Sequence, residues 1–301
     1  MDKPIIYLFI SFAITIFLIP FIKKLCLRFS ITDFYEPRKQ ESISKVRLGG
    51  LAIFAGTMLS VLMAKIFLGE LIFFDKYFNI FILGSSLFFL IGFLDDIFII
   101  SPLIRLVSQI FFSILIWSEG IKIENISLAL FPSLNISLFN SDFVSIVITI
   151  FWVVGLVNAL NWIDGLDSLA IGVSSIVFIF LYIIFFQNNE FELYSITLII
   201  LGSSIGFLFF NLPPAKILMG DGGSYFLGFN LAMMTFLAST NSINGENYFY
   251  LDKAFLMLFI PLFDMSTVIV YRLIKKRSPF FPDRSHFHHR LIDSGISYNV
   301  T

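Results

Sequence analysis

Nine apolar runs, each near the ~20 residues a helix needs to cross the hydrocarbon core of a bilayer, leave this 301-residue chain few ways to fold. They cover residues 4–25, 48–68, 77–94, 103–117, 143–160, 166–186, 193–210, 224–239 and 254–274. A backbone inside lipid must satisfy its own polar groups, which restricts a spanning segment to a helix or a closed barrel. No period-two alternation runs through these segments, so a barrel is disfavoured. The expected fold is an all-α polytopic membrane protein of about nine transmembrane helices, forming a single embedded unit over residues 1–301. Charged residues make up 14% of the chain, against about 25% in soluble domains.

The first run lacks a preceding basic region and a small-residue cleavage site, and it leads into Lys23 and Lys24. It therefore reads as a retained anchor rather than a signal peptide. The lone Cys26 excludes an internal disulfide and reads as a buried small hydrophobe.

Sidedness follows from the basic residues. With the amino terminus outside, the inner loops hold Lys23, Lys24, Arg28, Arg38, Lys39, Lys45, Arg47, Arg105, Lys216, Arg272, Lys275, Lys276, Arg277, Arg284 and Arg290, fifteen in all. The outer side keeps Lys3, Lys65, Lys76, Lys122 and Lys253, only five, which fits the excess of Lys and Arg on cytoplasmic loops. The outer loops 119–142 and 187–192 carry no recognisable site. Their tripeptides Asn125-Ile-Ser and Asn135-Ile-Ser read as chance matches to a glycosylation acceptor.

With this orientation, the unusual polar residues fall at one membrane face. Asp95 and Asp96 end the third run, while Asn158, Asn161 and Asp164 end the fifth at a spacing of three, which aligns them on one helical stripe before Asp167. Asp221 sits in Met-Gly-Asp-Gly-Gly-Ser at the entrance to the eighth. After the ninth, all three histidines of the chain, His286, His288 and His289, lie within four residues. Imidazole is costly in lipid and suited to holding anions near neutral pH, so such clustering points to use. Each feature alone has a plainer reading: helix-end polarity for the acidic pair, interhelical hydrogen bonding for the Asn stripe, a simple turn for the glycine loop. Asp264, inside the ninth run near Pro261, is open to a structural or a site role.

Four inner loops thus deliver carboxylates, carboxamides or imidazoles to one depth, beside Lys45, Arg47, Arg105 and Arg284. That convergence predicts an active site at the cytoplasmic face. Acids facing cations at a water–lipid boundary suit Mg2+ bridging phosphate oxygens. The glycine loop at a helix start also favours an anion.

The residues resemble the polyprenyl-phosphate N-acetylhexosamine-1-phosphate transferases. The resemblance spans residues 47–295 and rests on Arg-Leu-Gly-Gly-Leu-Ala at 47–52, Leu-Asp-Asp at 94–96, Asn-Ala-Leu-Asn-Trp-Ile-Asp-Gly-Leu-Asp-Ser-Leu-Ala at 158–170, Phe-Asn-Leu-Pro-Pro-Ala-Lys-Ile-Leu-Met-Gly-Asp-Gly-Gly-Ser at 210–224, and Pro-Asp-Arg-Ser-His-Phe-His-His at 282–289. The last motif is similar to the WecA-like branch and departs from the three consecutive histidines of the MraY branch.

The resemblance implies a phosphotransferase that moves a sugar 1-phosphate from a UDP-N-acetylhexosamine to polyprenyl phosphate, releasing UMP and starting a surface polysaccharide. It implies Mg2+ as cofactor, held by Asn161 and Asp221. Catalytic roles are implied for Asp95, Asp96, Asp164 and Asp221, the acidic pair orienting or deprotonating the lipid phosphate. Substrate binding is implied for Lys45, Arg47, Arg105, Asp167, Arg284, His286, His288 and His289. Arg105 falls where the family places a cation for the lipid phosphate, and Arg284 with the histidines would hold the nucleotide diphosphate or sugar. A single-step and a phosphoryl-enzyme route both remain open. The implied setting is the bacterial inner membrane, with no nucleic acid partner and with a homodimer allowed. Family members usually continue for one or two spans past the histidine segment, and the last helix or helices are expected to be missing here.

Two other classes compete. A transporter or channel would gather its polar groups near the bilayer midplane on interrupted helices, usually with an internal repeat, whereas here they collect at one edge without one. A CDP-alcohol phosphotransferase needs Asp-Gly-x-x-Ala-Arg, and the stretch beginning at Asp164 lacks the arginine.

Overall fold

A computed structural model describes residues 3–29, 31, 46–68, 75–123, 125–128, 141–243, 246–278 and 287–295. The elements run α1 (Lys3–Arg28), α2 (Gly49–Leu68), α3 (Asp75–Phe98), α4 (Pro102–Ser118), β1 (Asn125–Ser127), α5 (Asp142–Ile163), α6 (Leu169–Gln187), α7 (Phe191–Asn211), α8 (Gly220–Ser239), β2 (Thr240–Ile243), β3 (Glu246–Tyr250), α9 (Leu251–Met257), α10 (Phe259–Ile274) and α11 (Phe287–Asp293).

The helical, polytopic expectation holds, with differences in three of the nine expected spans. Among the described residues, six helices, α1, α2, α3, α5, α6 and α7, are long and apolar enough to cross a membrane, and a seventh span is reached if α9 and α10 count together. The run at 103–117 is the 17-residue helix α4, apolar but short. The ninth run is broken: α9 and α10 meet at Leu258 with a bend of 91°. Pro261 supplies the reason. It has no N–H to bond the carbonyl four residues earlier, at Met257, and its ring would clash there, so one helix must end. In the first turn of α10 the same proline costs nothing, because those N–H groups lack intrahelical partners anyway.

The third departure is α8, which starts at Gly220 rather than 224 and carries Asp221, Asn230 and several glycines. It packs against α2, α3, α5 and α6, and nearly its whole length is buried. A helix enclosed by protein need not be apolar enough for lipid, provided that its polar groups find partners. Asn230 does so, accepting from the Ser85 hydroxyl at 3.1 Å and donating to the Phe226 carbonyl at 2.8 Å. The Trp152 indole of α5 donates to the Ala232 carbonyl at 3.0 Å, fixing α5 along α8.

A small three-stranded sheet, ordered β1-β3-β2, adds to the helices: β3 pairs parallel with β1, Ile126 opposite Phe249, and antiparallel with β2, Asn241 opposite Tyr248. It joins the α4–α5 and α8–α9 connections, both expected on the same outer side. The polar motifs lie at the other end of α8. At 1.5 Å per residue the two ends of this 20-residue helix stand about 30 Å apart.

Candidate active site

The start of α8 is held by the segment that precedes α2. The Leu218 N–H donates to the Val46 carbonyl at 2.8 Å, the Gly49 N–H to the Leu218 carbonyl at 2.9 Å and the Gly50 N–H to the Met219 carbonyl at 2.7 Å. This ladder sets Arg47 beside Gly220. Gly220 has φ of +77°, and a Cβ there would meet the Arg47 carbonyl and the Asp96 carboxylate, so only glycine serves. Gly92 does the same for α3: a Cβ would run into the Asp221 carbonyl. The two helices approach closely enough for the end of α3 to reach the first amides of α8.

Asp96 makes that reach. Its Oδ1 accepts the Asp221 N–H and its Oδ2 the Gly222 N–H, each at 2.9 Å. Helix starts leave N–H groups without intrahelical partners, and Met219, at the cap position, supplies no side-chain bond. Asp96 thus caps α8 from another helix. Arg47 Nε lies 3.1 Å from the same carboxylate, whose side chain is 1% exposed.

Asp95, its neighbour, turns elsewhere. Its Oδ1 accepts the Ile100 N–H at 2.6 Å and its Oδ2 is paired with Arg105. Arg105 occupies the first turn of α4, which begins with Ser101 as cap, its hydroxyl accepting the Ile104 N–H, and Pro102 next to it. A cation at a helix amino terminus opposes the helix dipole, so the acids around Arg105 offset an unfavourable placement.

Asp221 stands between the two arginines. Arg47 Nη2 donates to its Oδ1 at 3.0 Å, Arg105 Nη1 to its Oδ2 at 3.4 Å, and the Asn161 carboxamide to its Oδ1 at 2.9 Å. Asn161 also donates to the Ser224 hydroxyl at 3.0 Å. Among the described residues, Asp95, Asp96 and Asp221 against Arg47 and Arg105 leave one surplus negative charge when counted formally, in a site where Asp95 and Asp221 are buried. Removing one partner from such a set strands the others, at a cost of about 3–5 kcal/mol.

The remaining expected residues are placed less centrally. Asn158, on the same stripe as Asn161, donates instead to Gln109 of α4 at 2.7 Å and to the Val154 carbonyl at 2.8 Å. Asp164 caps the carboxyl end of α5, its N–H donating to the Asn161 carbonyl at 3.2 Å. Asp167 accepts the Ala215 N–H at 2.8 Å and so secures the connection that leads into α8. The Ser168 N–H donates to Asn211 Oδ1 at 2.9 Å, and Asn211 donates on to the Ile217 carbonyl at 2.9 Å, bracing the same connection. Lys45, Arg284 and His286 lie outside the described residues; His288 and His289 belong to α11, but their side chains are outside the description. Ser224, Gln109 and Asn211 were not singled out from sequence. Ser224 and Asn211 lie in the 210–224 motif, so proximity to Asp221 was a signal; Gln109 offered only a polar group four residues after Arg105.

Among the described residues, no three His, Cys, Asp or Glu side chains are grouped to hold a metal ion by themselves. The donors at hand are oxygens of carboxylates and a carboxamide. Both bonds made by Asn161 come from its nitrogen, which leaves its carbonyl oxygen as the atom to face a cation. With the surplus negative charge, this set fits Mg2+ held by one or two protein groups and completed by substrate phosphates.

The sequence model of Glycosyl transferase family 4 matches residues 78–239. A probable undecaprenyl-phosphate N-acetylglucosaminyl 1-phosphate transferase from Bacillus subtilis is 32% identical over 298 residues, covering 99% of this chain and 80% of that protein. The chain belongs to Glycosyl transferase family 4. Two further relatives are undecaprenyl-phosphate alpha-N-acetylglucosaminyl 1-phosphate transferases: the Thermotoga maritima protein is 31% identical, covering 93% of this chain and 78% of its own length, and the Yersinia pestis protein 27% identical, covering 99% and 78%. The matched family 4 region takes in Asp95, Asp96, Arg105, Asn161, Asp164, Asp167 and Asp221. Arg47 and α11 lie outside it, but within the full-length similarity to the Bacillus subtilis protein. The resemblance drawn from the motifs is thereby borne out at the level of family.

Proposed function

We propose that this chain transfers N-acetylglucosamine 1-phosphate from UDP-N-acetylglucosamine, or a related UDP-N-acetylhexosamine, to polyprenyl phosphate. The proposed setting is a bacterial inner membrane, with about nine membrane-embedded segments, the amino terminus outside and the site at the cytoplasmic face. The observation that carries this reading is the cluster of Asp95, Asp96, Asp221, Arg47, Arg105 and Asn161 at one end of the bundle, in a chain similar along its length to named transferases.

The lipid phosphate oxygen forms a bond to the β-phosphorus of the nucleotide sugar. The bond from that phosphorus to the bridging oxygen breaks, and its electron pair leaves with UMP. A phosphate monoester with a second pKa of about 6 is largely dianionic near neutrality, so Asp95 orients the nucleophile and no strong base is needed. Repulsion between the two anionic substrates is the main obstacle. Arg105 and Arg47 meet it by shifting from carboxylate to phosphate oxygens, Arg105 on the lipid side. Asp96 keeps the first turn of α8, and with it Asp221, in place. Mg2+, when bound, would be held by Asp221 and Asn161 and would withdraw charge from phosphate oxygens. Asp164 and Asp167 support this arrangement from the adjoining connection, while Lys45, Arg284, His286, His288 and His289 grip the nucleotide sugar.

The test is incubation of the purified full chain with polyprenyl phosphate, magnesium and a panel of UDP-sugars. UMP and a lipid-linked sugar diphosphate are expected with UDP-N-acetylglucosamine or a close relative. Absence of UMP across the whole panel would remove the proposal.

A further inference from the structure

We infer that Asp264, within α10, is a positioning residue that anchors the histidine-bearing helix α11 to the bundle through the backbone N–H of Phe287. The role rests on the proposed reading of the histidines as the grip on the nucleotide sugar. Asp264 is 3% exposed, and an ionisable group buried in a membrane protein is costly unless it is bonded. Its Oδ1 accepts the Phe287 N–H at 2.6 Å, across 23 residues of sequence. Phe287 is the first residue of α11. Its N–H is one of those that a helix cannot satisfy from within, and a carboxylate at that end also suits the helix dipole.

The anchor is itself aligned with the site. Asp264, Val268 and Arg272 recur every four residues as buried positions of α10, and α10 packs against α5. The Arg272 guanidinium lies over the Trp162 ring, 5.1 Å from its centre, and Trp162 follows Asn161 directly in the chain. The α5 helix thus fixes α10, and Asp264 passes that register to the segment carrying His288 and His289. A residue of this kind acts through the histidines, so its loss is read in substrate affinity more than in turnover.

The test compares Asp264→Ala, Asp264→Asn, Phe287→Pro and Phe287→Ala in the purified full chain. Backbone hydrogen exchange of residues 288–294 reports the anchor, and KM and kcat for UDP-N-acetylglucosamine at saturating polyprenyl phosphate report its consequence. Proline is accepted at a first helical position, so Phe287→Pro removes the donor with α11 preserved, while Phe287→Ala keeps the donor and controls for the ring. Asp264→Ala and Phe287→Pro are expected to raise exchange about tenfold and KM about fivefold to tenfold, the scale of one hydrogen bond to a charged group. The KM for polyprenyl phosphate should stay unchanged, and Asp264→Asn, which keeps an acceptor oxygen, should recover most of the loss. Unaltered exchange in both Asp264→Ala and Phe287→Pro would overturn the anchor. Raised exchange with unaltered KM, or equal losses for both substrates without rescue by Asn, would overturn the positioning role. A wild-type protein that binds UDP-sugar without releasing UMP would instead count against the proposed reaction, and the exchange and binding measurements would still decide the anchor.

Discussion

The acid–arginine cluster and the histidine-bearing helix are built in opposite ways. In the cluster, Asp96, Asp95 and Asp221 share partners drawn from several stretches of the chain: the start of α8 and Arg47 for the first, Arg105 of α4 for the second, and Arg47, Arg105 and Asn161 of α5 for the third. Ends of several packed helices hold every charge at once. Among the described residues, His288 and His289 sit on a seven-residue helix whose first amide is bonded to Asp264 of α10. The difference suggests a division of labour. Groups that must meet developing charge benefit from preorganisation on rigid elements, whereas a group that admits and releases a nucleotide sugar can sit on a segment with a lighter hold.

The most damaging test of that contrast is Asp221→Asn. It removes the charge between two guanidiniums and leaves them facing each other, so UMP release is expected to fall by about 10²-fold or more, with membrane insertion intact. Undiminished turnover would show that the cluster is not where the chemistry occurs. A finer cut separates Asp95 from Asp96. In Asp96→Asn one oxygen becomes an amide that faces a backbone N–H donor, and one of the two bonds that cap α8 is lost, costing about 1–3 kcal/mol of stability. Asp95→Asn keeps its oxygen for the Ile100 N–H and loses mainly charge near Arg105. A thermal unfolding midpoint that drops further in Asp96→Asn, together with a lower kcat in Asp95→Asn at nearly unchanged stability, is expected. The reverse pattern would exchange the two roles.

The convergence of these residues was legible because polarity is conspicuous in an apolar chain: once the basic residues set the sidedness, Asp95, Asn161, Asp221, Arg47 and Arg105 fell at one face without any knowledge of packing. What each side chain holds was not legible. Asp95 and Asp96 are chemically identical neighbours, yet successive helix positions differ by about 100° in direction, and only the close approach allowed by Gly92 determines that Asp96 meets α8. The stripe of Asn158 and Asn161 divides for a similar reason, since Gln109 on α4 captures the first. Hydropathy also does not show that protein replaces lipid as the neighbour of α8, or that Pro261 divides an apolar run that it treats as continuous.

The smallest effect on turnover among these three tests is expected for the histidines. Replacing His286, His288 and His289 together by Ala retains every acid and arginine of the cluster. If they hold the nucleotide sugar, KM for that substrate should rise about tenfold, or roughly 1.4 kcal/mol, while kcat changes by less than about threefold, the pattern of an interaction made equally in ground and transition states. Steady-state kinetics with each substrate varied in turn separates the possibilities. A loss confined to KM for polyprenyl phosphate would move the histidines to the lipid side. A fall in kcat as large as that of Asp221→Asn would erase the contrast between a rigid catalytic cluster and a lighter grip, because the histidines would then act on the same developing charge.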